Sequence, residues 1–252
     1  MKCLILAAGY ATRLYPLTEN FPKPLLEVGG KTILDWLLED IDSAGLVNGY
    51  IVVTNHKFAP HFQRWAASHT LPITVVDDGT DSNETRLGAV RDIQFVLDTL
   101  SLHEDLLIIA GDNLLDFSLT SFLRYAMEKQ SSCTMRYYEA DLARLRRSGV
   151  SVIDGEERLL SLEEKPVEPK SHWCTPPFYF YTEEDLGKIQ SAIEEGCGVD
   201  APGSLVAWMC AHSRMYSMEM PGHRFDIGNL ESYETARNNY RGITKDKNCQ
   251  GI

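Results

Sequence analysis

Four apolar runs of strand length mark the first half of the chain: Cys3 to Ala8, Tyr50 to Thr54, Ile73 to Val76 and Leu106 to Ala110. They are nearly continuous rather than alternating, the pattern of strands buried on both faces of a sheet. Between them the period changes. From Thr32 to Ala44, Ile33, Leu34, Leu37, Leu38 and Ile41 recur at helical spacing, and Gly45 follows as a stop. This alternation predicts a mainly parallel, doubly wound α/β sheet. Beyond residue 130 further strands are expected at Thr134 to Tyr138, Val150 to Ile153 and Phe178 to Tyr181, with helices near Glu183 to Glu195 and Leu230 to Tyr240. No repeat or Pro/Gly/Ser linker divides the chain, so residues 1–252 read as a single domain. Such sheets collect ligands at the carboxyl ends of their strands, which directs attention to the loops after Ala8 and Ala110.

Charge narrows the partners. With 24 Lys and Arg against 36 Asp and Glu, the formal charge of −12 opposes nucleic acid and anionic membrane surfaces alike, so neither is an expected partner. In so acidic a chain the position of each cation carries more information than the number. The segment Met1 to Ala8 lacks the long apolar stretch of a secretory signal, and no run reaches the ~20 apolar residues that span a bilayer. Six cysteines (Cys3, Cys133, Cys174, Cys197, Cys210 and Cys249) form no CxxC pair, as reduced core thiols do. A cytoplasmic protein is predicted, and self-association into a homo-oligomer stays open.

The chemistry concentrates after the first strand. Leu6-Ala7-Ala8-Gly9-Tyr10-Ala11-Thr12-Arg13-Leu14-Tyr15-Pro16 is followed by Phe21-Pro22-Lys23-Pro24-Leu25-Leu26. Small residues let backbone N–H groups approach phosphate oxygens, Arg13 can fork onto two oxygens, and Lys23 is held between two prolines as a stiff point charge. A Walker A loop is excluded, because the glycine required five positions before Gly30 is Leu25. Asp112, after the run ending at Ala110, is placed beside this loop, where one or two carboxylates suit magnesium.

The string LAAGYATRLYPLTENFPKPLLEVGGKTILDW closely resembles the N-terminal signature of the sugar-phosphate nucleotidyltransferases. Further resemblances run in order through Leu87-Gly88-Ala89, Gly111-Asp112-Asn113, Glu163-Glu164-Lys165-Pro166 and Phe225-Asp226-Ile227-Gly228-Asn229. The resemblance implies a Rossmann-like three-layer α/β/α fold and coupling of a nucleoside triphosphate to a sugar 1-phosphate by in-line attack on the α-phosphate. It implies that Arg13 holds the leaving pyrophosphate and Lys23 bridges the α-phosphate and the attacking phosphate, these two being catalytic. Leu6, Ala8, Gly9, Ala11, Thr12, Gly88 and Asp112 would join them around the nucleotide. Gly149, Glu164 and Lys165 would bind the acceptor, and Asp112 with Asp226 would hold Mg2+.

The sequence departs from that pattern in three places. Ala11 stands where the family loop usually has a second glycine, which matters if the position needs φ > 0. The segment Asp77 to Arg86 offers no base-reading glutamine, so cytosine, uracil and thymine stay open, with a pyrimidine favoured. The chain also stops at Ile252 without an appended β-helix, so one activity is expected. Trp173, Phe178, Tyr179 and Tyr181 raise an alternative, a phosphocholine-type cytidylyltransferase with an aromatic cage, although period-2 aromatics ordinarily face a core. A second alternative is a silent nucleotide-binding regulatory module. A glycosyltransferase is disfavoured, because the DxD at Asp40-Ile41-Asp42 falls inside the predicted helix.

Overall fold

The computed structural model describes residues 1–244. Its first half builds β1 (Lys2–Leu6), the short hairpin β2 (Glu27–Val28) and β3 (Lys31–Thr32), α1 (Ile33–Ser43), β4 (Tyr50–Thr54), α2 (Ala59–Ala67), β5 (Ile73–Asp77), α3 (Ala89–Leu100) and β6 (Leu106–Ala110). Strands β1, β4, β5 and β6 are the four apolar runs, and they pair in parallel in the order β6-β1-β4-β5.

The second half adds β7 (Asn113–Leu115), α4 (Thr120–Lys129), β8 (Ser132–Tyr138), α5 (Leu142–Leu145), β9 (Gly149–Ile153), β10 (Leu159–Glu164), β11 (Trp173–Cys174) and β12 (Phe178–Tyr181). It then runs through α6 (Glu183–Leu186), α7 (Ile189–Glu194), α8 (Pro202–His212), β13 (Met215–Glu219), β14 (Arg224–Asp226) and α9 (Leu230–Asn239). Here β12 returns antiparallel to β6, and β8, β11, β9 and β10 continue outward with antiparallel pairing. Strand β13 joins β8 in parallel, which completes a mixed ten-stranded sheet around a parallel core.

The continuous apolar runs have a direct cause. Successive side chains of a strand point to opposite faces, and both faces are covered. Cys3, Ile5, Tyr50, Val52, Leu107 and Ile109 pack with residues of α1, α2 and α4, whereas Leu4, Ile51, Val53, Leu106 and Ile108 pack with α3, α7 and α8. The layers are therefore helix, sheet, helix. Phe178 and Phe180 join the first core, and Tyr179 and Tyr181 the second. These aromatics are core residues and form no cage.

Helix α1 begins as its sequence predicts. Thr32 accepts from Asp35 N at 3.0 Å while the Asp35 carboxylate accepts from Thr32 N at 3.2 Å, a capping box. The helix expected near Glu183 to Glu195 divides instead into α6 and α7, with Gly187 closing the first piece. A third core under α9 joins Leu14, Leu26, Ile33, Leu114, Ile227 and Tyr233, so the end of the described chain packs against the N-terminal loop. Cys3, Cys133 and Cys174 are buried free thiols, and burial pushes the Cys3 thiol up. Cys249 lies outside the described residues. Among the described residues no helix is long and apolar enough to cross a membrane.

Candidate active site

The loop that leaves β1 is tied down on all sides. Ala7 N donates to Val53 O at 2.9 Å, the fully buried Asn55 donates from Nδ2 to Ala8 O at 2.9 Å, and Gly111 N donates to Leu6 O at 3.1 Å. The last bond brings Asp112 beside the loop. Gly111 has no room for a side chain, since a Cβ would fall 2.9 Å from Ile5 Cγ2. Thr12–Leu14 then forms one 3-10 turn, entered through Ala11 at φ 47 and ψ 42. The position does require the left-handed backbone, and alanine occupies it under strain. Lys23–Leu25 forms a second 3-10 turn, capped by Pro22.

Lys23 is 7% exposed, and its ammonium bonds Asp112 Oδ2 at 2.8 Å. Arg13 differs. It is exposed and makes no hydrogen bond or ion pair among the described residues, so its five donors are open to a ligand. Leu6, Gly9, Ala11, Arg13, Lys23 and Asp112 line one cavity together with Ala7, Leu14, Pro24 and Gly228. Ala8 and Thr12 hold the loop's path beside it. Gly88 does not line that cavity; it precedes α3 with φ 89.

Asp226 does not line this cavity, but its strand runs beside it, and Gly228, two residues on, does line it. Strand β14 pairs antiparallel with β7, which sets Asp226 opposite Asn113, the neighbour of Asp112. A polar chain links the two carboxylates: Asn113 Nδ2 donates to Asp112 Oδ1 at 2.8 Å, Arg224 Nη1 donates to Asn113 Oδ1 at 2.7 Å, and Arg224 stands 3.7 Å from Asp226 Oδ1. Asn113 and Arg224 had no assigned role from the sequence. For Arg224 a signal existed, a cation directly before the FDIGN string in a chain short of cations.

The predicted acceptor residues form a second cluster. Glu164, the last residue of β10, faces Gly149 across the ladder to β9, and Lys165 N donates to Ser148 O at 3.0 Å. The Lys165 ammonium is exposed and makes no ion pair among the described residues. Burial raises the Glu164 carboxyl above its ordinary value, and the charge of Lys165 opposes that shift. The segment after the cluster ties it to β6: Gly149 O accepts from Thr175 N at 2.9 Å, and two residues later Pro177 O accepts from Ala110 N at 3.1 Å.

A loop of small residues with a free guanidinium, a buried ammonium and the Asp112 carboxylate, at the carboxyl ends of parallel strands, suits an α/β protein that handles phosphate. The chain matches the nucleotidyl transferase family over residues 2–242, and it belongs to that family. It is 24% identical over 248 residues to glucose-1-phosphate adenylyltransferase of Fervidobacterium nodosum, covering 91% of this chain and 59% of that protein. To a protein of Sulfolobus acidocaldarius assigned as mannose-1-phosphate guanyltransferase it is 29% identical over 191 residues, covering 75% of this chain and 50% of the relative. The chain thus spans between half and three fifths of the length of these curated relatives.

Solved structures share the fold. A UDP-glucose pyrophosphorylase complexed with UDP-glucose superposes with a TM-score of 0.79 at 20% identity, covering 95% of this chain and 97% of that one. A Bacillus anthracis protein assigned as a glucose-1-phosphate thymidylyltransferase gives 0.81 at 20% identity, covering 97% and 96%.

Proposed function

We propose that this chain transfers a nucleoside monophosphate unit from a triphosphate to a sugar 1-phosphate, releasing pyrophosphate, with Mg2+ as cofactor. The observation that carries this reading is the Lys23–Asp112 pair at 2.8 Å, flanked by an uncommitted Arg13 and by Asp226. Asp112 and Asp226 offer only oxygen donors, and their side chains are 38% and 59% exposed, so an ion there keeps its water. That donor set fits magnesium, which takes one or two carboxylates and completes its shell with phosphate oxygens and water. When bound, the ion supplies charge neutralisation at the phosphates.

The residues of the chain do the rest by position. The acceptor phosphate is already anionic, so no base is needed. Its oxygen forms the new bond to the α-phosphorus as the bond to the bridging oxygen breaks, and pyrophosphate carries the electron pair away. Lys23 stands where both reacting phosphates pass, Arg13 grips the leaving group, Lys165 meets the acceptor phosphate and Glu164 accepts from sugar hydroxyls. Charge placed in advance costs no rearrangement at the moment of reaction.

The relatives' names cover adenylyl, guanyl, thymidylyl and UDP-linked donors, so family membership leaves the base open and the pyrimidine expectation is one arm of the test. That test is a screen of the nucleoside triphosphates against sugar 1-phosphates and phosphocholine, following pyrophosphate release. Turnover with a sugar 1-phosphate, abolished by EDTA and restored by Mg2+, is expected. Release only with phosphocholine would replace the acceptor class, and none with any pair would leave a nucleotide-binding module.

A further inference from the structure

The Glu164 carboxylate lies between two glycines from different elements. Gly149 flanks it from β9, where a Cβ would fall 3.0 Å from Oε1. Gly203 meets it from the first turn of α8, where a Cβ would clash with Oε1 and stand 2.9 Å from Cδ. Gly203 does not have a positive φ, so its backbone would accept any L residue. Space alone demands the glycine. Inside a helix glycine is a poor choice, and here it gives up helical preference for room. The positive end of an eleven-residue helix also favours a carboxylate at that turn.

The turn is itself held in place. Val90 N donates to Val199 O at 3.0 Å and Ala89 N to Asp200 O at 3.4 Å, and a Cβ on Gly88 would fall 2.6 Å from Val199 O. Residues 199–203 are thus a strap with one end on the Gly88 turn and the other on Glu164.

We infer that Gly203 is a positioning residue for the acceptor: it opens the slot that seats the Glu164 carboxylate and so sets where the acceptor's hydroxyls are met. The inference rests on the proposed acceptor role of Glu164. A side chain at position 203 drives that carboxylate out of its slot and leaves the cavity of Arg13, Lys23 and Asp112 as it is, because no residue of α8 lines that cavity.

Steady-state kinetics of Gly203→Ala with both substrates varied test this. The acceptor KM should rise about tenfold or more, with kcat and the triphosphate KM within about twofold of the parent. Adding Glu164→Asp draws the carboxylate back by one methylene, so the two substitutions should be far from additive on acceptor KM. An unchanged acceptor KM, or additive losses, overturns the inference. A second readout needs no acceptor: in 13C-glutamate-labelled protein the Glu164 carboxyl should titrate lower in Gly203→Ala, because it has moved into water. An unmoved titration shows that the carboxylate never left and likewise overturns the slot. Glu164→Ala with a normal acceptor KM would strike the acceptor reading instead, and the titration would still decide the role of Gly203.

Discussion

Ala11 and Lys23 show how single residues set the loop. Ala11 holds φ 47, which costs an L residue roughly 1–2 kcal/mol. Ala11→Gly relieves that strain while loosening the unfolded chain, so a net gain of about 1 kcal/mol is expected in denaturant unfolding. A loss of stability would show that the backbone there is unstrained. Lys23 is buried against Asp112, and Arg13 is exposed and unpaired. Lys23→Ala should therefore cut kcat by roughly 100-fold or more with the fold intact, the size expected when one preorganised charge is lost. Arg13→Ala should act mainly through the triphosphate KM. Near-normal kinetics in both folded variants would remove the loop from the mechanism.

At the scale of the element, α3 carries a charge problem. Asp92 lies on its buried face with Oδ1 unpartnered, and burial, followed by the nearby Asp78, pushes its carboxyl up from 3.8 to about 7. The fold favours the protonated form. Its contribution to stability is complete below the ordinary value of 3.8 and is lost as pH rises through about 7. Asp92→Asn removes the ionisation, so its Tm should vary less than that of the parent between pH 4 and pH 7, with the advantage over the parent greatest above pH 7. Parallel Tm curves through that window would place the proton elsewhere. Elements also divide by how readable they were. The four parallel strands were legible because burial on both faces leaves an unbroken apolar run. Strands β2, β3, β7 and β14, of two or three residues each, are too short to show a period. The contiguous loop with Arg13 and Lys23 could be read as a site. Arg224 and Gly203 acquire meaning only through contacts across the fold, with Asn113 and Glu164 respectively, which no local pattern announces.

Over the whole molecule, the parallel block presents the loop with Arg13 and Lys23, the antiparallel extension presents Glu164 and Lys165, and β14 pairs with β7 next to Asp112. If Asp112 and Asp226 serve one ion, Asp112→Asn and Asp226→Asn should each weaken the Mg2+ requirement and turnover together. Their combination should then be little worse than the more damaging single change. Losses that multiply in a magnesium titration would assign the two carboxylates to separate tasks. The pairing of β14 with β7 also bears on how the protein comes into being. Arg224 and Asn113 meet across 111 positions of sequence, and domains form from the N-terminus as a chain is synthesised. A growing chain can therefore close its parallel block, bury Lys23 against Asp112 and expose Arg13 well before the strand bearing Asp226 emerges. Under the proposed reading, such a chain carries both cations of the loop before it acquires the second carboxylate, and the proposed metal site is complete only once β14 docks on β7.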